Sequence, residues 1–176
     1  MDMGNSFGMV DTYLPLHIIA IRIGIAALFG ALIGLERELS TAEAGLRTHM
    51  LVSVAAALFT ILAFEIFHTI ESVAGGEMRA DPIRAVEAVT AGIAFLGAGA
   101  IFRSGAGVQG LTTGAGMWLA GAVGLATALG YYVVAGGVAL LAVIIMAALR
   151  TFSRKVHARS DMREGRGEEE ANSLRD

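Results

Sequence analysis

The chain has 176 residues, 55% hydrophobic and only 16% charged, with a mean hydropathy of +0.66. Soluble domains carry about 25% charged residues, so this composition excludes an ordinary solvated surface and describes one domain immersed in lipid. The formal net charge of −3 is segregated along the chain and offers nucleic acid no basic face. The absence of cysteine removes disulfides, thiolate metal sites and a cysteine nucleophile.

Residues 1–13 lack the basic region and small-residue cleavage site of a secretory leader. The first apolar run is therefore expected to remain as a helix, with 1–13 an extracytoplasmic segment. Five apolar runs follow: Leu14–Leu35, Met50–Phe67, Ala85–Phe102, Leu111–Leu129 and Tyr131–Leu149. Each has 18 to 22 residues, against the roughly 20 needed to cross a hydrocarbon core. The spacing predicts an all-α, polytopic bundle of about five transmembrane helices over residues 14–150. Only Gly130 separates the last two runs, which predicts a tight helical hairpin.

Orientation follows the arginines and lysines. Arg150, Arg154, Lys155 and Arg159 follow the fifth run and none precedes the first, which predicts N-out and C-in. Residues 151–176 read as a basic, then mixed-charge cytoplasmic tail without a periodic apolar face, expected to be disordered.

Charge inside an apolar span is costly and marks a candidate site. Three such residues stand out: Arg22 in the first run, Glu65 near the end of the second, and Glu87 near the start of the third. N-out orientation puts all three in the outer half of the membrane. Their structural reading is an Arg22–Glu65 or Arg22–Glu87 ion pair that fixes helix register. Their functional reading is a cation or proton site.

A larger polar set gathers at the opposite rim. Glu36, Arg37 and Glu38 end the first run, Arg47, Thr48 and His49 open the second, Arg103 closes the third, and Thr112 and Thr113 open the fourth. Thr112 or Thr113 can cap the fourth helix, whose start favours an anion or carboxylate. Either Glu36 or Glu38 sits on the helix starts with Arg47 and Arg103 completing the network, or the rim receives a phosphate-like ligand or Mg2+. Glu36 and Glu38 point about 200° apart on a helix and do not form a pincer.

Small residues supply the packing expectations. Gly30 and Gly34 form one GxxxG, and Gly110 and Gly114 another. Gly92, Gly97 and Gly99 lie within the third run, where close packing is the default and a local helix break is the sharper alternative. Trp118 lies too deep for an interfacial belt and reads as a packing residue. No metal-ligand run such as HExxH and no paired nucleophile is present, so neither an enzyme nor a cofactor is expected.

These segments resemble the MgtC/SapB family of bacterial inner-membrane proteins. The similarity is carried by Gly30-Ala31-Leu32-Ile33-Gly34-Leu35-Glu36-Arg37-Glu38, Ala44-Gly45-Leu46-Arg47-Thr48-His49, Gly92-Ile93-Ala94-Phe95-Leu96-Gly97-Ala98-Gly99 and Gly110-Leu111-Thr112-Thr113-Gly114, then Trp118 and Gly124-Leu125-Ala126. It extends over about residues 16–150. Ala94 and Gly114 depart from the family's usual residues by small-for-small changes. Many relatives continue into an ACT-like cytoplasmic domain, and this sequence reads as a short member. The resemblance implies a role in growth at low magnesium and in virulence, through regulation of membrane complexes such as the F-type ATP synthase. The competing expectation is a small oligomeric transporter or channel for Mg2+, protons or another small ion. Both readings place the chain in the lipid bilayer, with other membrane proteins or further copies of itself as partners.

Overall fold

Residues 12–40, 42–74, 81–104 and 107–151 are described by the computed structural model. Helix α1 (Leu16–Leu39) begins directly after Pro15, whose fixed φ suits a helix entry. It stops where the Ser40 hydroxyl donates to the Glu36 and Arg37 carbonyls at 2.9 and 3.0 Å. Helix α2 (Leu46–Ala74) opens on a cap from a different helix: Glu38 Oε2 accepts the Leu46 N–H at 3.0 Å. Helix α3 (Pro82–Gly99) has the expected start, with Asp81 accepting the Ile83 N–H at 2.9 Å and proline in the first turn. It runs unbroken to Gly99, so the local break does not occur.

The third apolar run does not end as a helix. Phe102–Ser104 and Gly107–Gln109 form antiparallel strands β1 and β2, pairing Phe102 with Gln109 and Arg103 with Val108. Gly110 then turns the chain with φ +83°, against the Ala100 carbonyl where a side chain has no room. Helix α4 (Leu111–Ala128) follows, and Gly130, with φ +88°, turns it into helix α5 (Tyr132–Thr151). The expected hairpin between the last two runs is present.

Four of the five helices, α1, α2 (over Leu46–Ser72), α4 and α5, are long and apolar enough to cross a membrane. The chain is a multi-pass membrane protein with four such spans among the described residues, one fewer than expected. The exception is α3, an 18-residue helix with Arg84 and Glu87 in its first two turns. The segment 1–11 and the tail from 152 lie outside the described residues.

The chain divides into two compact units, Met1–Leu140 and Leu141–Asp176. In the second, the described residues continue α5. In the first, α2 lies between α1 and α4. Gly30 and Gly34 set α1 against the α2 backbone at Leu46, His49 and Met50, and Gly124 sets α4 against Ser53. Ser53 is buried and donates to the Ala26 carbonyl at 2.7 Å. Small residues dominate this core: Ala26, Ala56, Ala57, Ala120 and Ala128 are all buried. Close backbone approach of this kind is how membrane helices associate.

Candidate functional site

Four polar side chains lie where α1 ends and α2 and α4 begin. Glu36 is only 9% exposed, His49 is completely buried, Thr113 is buried and Arg37 is half-buried. Helix α1 carries Glu36 and Arg37 into its last turn, α2 brings His49 one turn after its start, and α4 brings Thr113 within its first turn. Arg37 Nη2 donates to Thr113 Oγ1 across a long 3.4 Å.

The His49 ring is oriented by the Gly45 carbonyl, 2.8 Å from Nδ1. A carbonyl only accepts, so Nδ1 carries the hydrogen, and on a neutral ring Nε2 presents a lone pair. That nitrogen lies against Gly116, where any side chain would crowd it. Glu36 Oε2, Arg37 Nε and His49 Nε2 are all buried without a hydrogen-bond partner. Each such atom costs about 1–3 kcal/mol, more where it is charged. An acceptor, a donor and an imidazole lone pair are thus held ready at one end of the first unit.

The remaining rim residues are placed differently. Glu38 caps α2. Arg47, Arg103 and Thr112 are exposed and Thr48 is half-buried. Neither threonine caps α4, because its N-cap is Gly110 and no side chain bonds there. Among the described residues no three His, Cys, Asp or Glu side chains are grouped to hold a metal ion.

At the opposite end the intramembrane charges engage backbone rather than each other. Arg22 reaches from α1 to the Ala128 carbonyl in the last turn of α4, with Nη1 as donor and Nε left without a partner. Glu65 accepts the Tyr13 and Leu14 N–H groups at 2.7 and 2.9 Å. Neither an Arg22–Glu65 nor an Arg22–Glu87 ion pair forms, and Glu87 is exposed. For Arg22 the helix dipole favours this, since the C-terminus of α4 attracts a cation, while Glu65 is held by the two amides ahead of α1. Beside this contact Tyr13 stacks on His68, with ring centroids 3.8 Å apart.

Among the singled-out glycines, Gly97 and Gly114 press α3 and α4 together, whereas Gly92 and Gly99 have no neighbour where a side chain would start. Trp118 remains half exposed. Sequence reasoning did not single out Ser53 or Gly116. The spacing of Gly116, Ala120 and Gly124, four apart on α4, could have pointed to the face that receives α2.

Comparison with known proteins places this arrangement among relatives. A model of the MgtC family matches residues 23–155. SapB of Bacillus subtilis is 37% identical over 115 residues, 65% of this chain and 49% of that protein. MgtC of Brucella abortus is 40% identical over 111 residues, 63% of this chain and 42% of that protein. YhiD of Escherichia coli K12, named there as a candidate magnesium transporter, is 37% identical over 112 residues, 64% of this chain and 51% of that protein. The chain thus spans about half the length of these curated relatives. No solved structure matches it.

Proposed function

From the premise that this chain belongs to the MgtC family, we propose that it is a non-enzymatic regulator of other membrane complexes in the bacterial inner membrane. The observation that carries this reading is the use of Arg22 and Glu65. Arg22 binds the end of α4 and Glu65 the backbone amides ahead of α1, so two of the three charges in the apolar runs serve architecture rather than a conduction path. What remains for function is the exposed apolar surface of the helices and the polar cluster of Glu36, Arg37, His49 and Thr113. The basic stretch after α5 supports a cytoplasmic C-terminus; with α3 as a shorter fifth crossing the N-terminus lies outside, and that cluster faces the cytoplasm. Regulated complexes of the F-type ATP synthase class, and roles in growth at low magnesium and in virulence, belong to the same reading.

A second reading is favoured by the partnerless atoms themselves. Glu36 Oε2 and His49 Nε2 are acceptors suited to a passing cation or proton, and an oligomer would supply the path of a small Mg2+ or proton transporter. Reconstitution separates the two. The regulatory reading expects no flux in liposomes holding only this protein, under Mg2+, H+ or phosphate gradients, and capture of a membrane complex from native membranes. Flux that disappears in Glu36→Gln would establish transport instead.

A further inference from the structure

Helix α3 is the least covered helix of the first unit: of its described side-chain positions only Ile93 and Gly97 are buried. Ala88, Gly92, Phe95 and Gly99 recur at spacings of four, three and four, which places them on one stripe. Phe95 projects from it, 80% exposed. Gly92 and Gly99, on either side of Phe95, have open space over their α-carbons. Ala88 and Gly92 of this stripe also line a groove between α2 and α3 of about 450 Å³, whose walls are apolar and include Val52, Ala56 and Phe59 from α2 and Leu96 from α3. Phe95 is not among its lining residues. A projecting aromatic ring and an apolar groove therefore lie side by side on one surface.

The entrance of the same helix carries a second complementarity. Arg84 and Glu87 are both exposed, one turn apart, and neither side chain has a partner among the described residues. A surface that holds a knob beside a hole, and a cation beside an anion, is complementary to its own image under a two-fold rotation. Lipid tails could fill the groove but would match neither charge.

We propose that this face of α3 is a homodimer interface, in which Phe95 of each copy enters the α2–α3 groove of the other. Gly92 and Gly99 let the two α3 backbones approach, and Arg84 of one copy lies level with Glu87 of the other. The occupant is a second copy of this chain. The inference does not depend on the regulatory reading, because pairing of the purified protein requires no other membrane complex.

The chain contains no cysteine, so introduced thiols report directly. In membranes treated with oxidant, Phe59→Cys/Phe95→Cys should give a disulfide-linked dimer several-fold more abundant than either single change. Val133→Cys, 90% exposed on α5, should give little. Subunit counting of the purified protein in dilute bilayers should find pairs, with Phe95→Ala weakening dimerisation about tenfold (~1.4 kcal/mol). Arg84→Glu alone should also weaken pairing, and Arg84→Glu/Glu87→Arg should restore it. A wild-type protein that counts as single copies overturns the proposal. So does a dimer indifferent to Phe95→Ala and to the charge exchange, or a Phe95→Cys thiol that links only to other proteins.

Discussion

At one end of the first unit, Arg22 holds the last turn of α4 and Glu65 holds the amides that precede α1; at the other, Glu36, Arg37 and His49 each keep a buried polar atom without a partner. The first arrangement joins side-chain charge to backbone polar groups, and it stabilises the joints between helices. The second leaves three atoms without a protein partner at the ends of three helices, against the single Nε of Arg22 in the first, and such atoms cost stability. Charge in an apolar chain can therefore be architectural at one end and available for function at the other.

Substitutions can break or sharpen this contrast. The largest expected effect is Gly116→Leu, which drives a side chain into His49 on a crowded helix contact. A loss of about 3 kcal/mol or more is expected, read as a collapsed melting transition in detergent. Arg22→Ala removes a hydrogen bond from a charged donor to the end of α4 and should cost about 1.5–3 kcal/mol. Its signature is lower thermal stability with partner capture unchanged per folded molecule. Glu65→Gln keeps one acceptor for Tyr13 or Leu14 and should cost about 1 kcal/mol, with faster amide exchange at those two residues. The smallest stability effect belongs to Glu36→Gln, which removes the charge from a buried carboxyl without a partner for Oε2. Thermal unfolding should be unchanged or slightly raised while partner capture falls. If Glu36→Gln instead melts early and Arg22→Ala does not, the two ends have been assigned the wrong way round.

Much of the fold is legible in the sequence because hydrophobic runs near 20 residues have few solutions in lipid. All five helices and the turn at Gly130 follow from that. The ends of the runs are less legible, because hydropathy fades where helices do not. Helix α2 continues seven residues beyond Phe67 to Ala74. The run through Phe102 hides a change from helix to strand at residues 100–102, since Ile101 and Phe102 are as apolar as the helix before them. The candidate site is legible as a set of residues but not as a set of bonds. Sequence locates Arg22, Glu65 and Glu38, yet pairing of opposite charges is the simplest expectation, and here each found backbone groups instead. Nothing in the spacing of Arg37 and Thr113, 76 residues apart, announces that they meet.

The bond between Arg22 and the Ala128 carbonyl spans 106 residues of chain. A ribosome adding about 5–20 residues per second needs roughly 5–20 s to make the second partner after the first. During that interval the first helix is in the membrane with a cation whose permanent acceptor has not been synthesised. Water, headgroups or an insertion factor must shelter the guanidinium until α4 arrives. The contact can therefore close only after the fourth helix has been made.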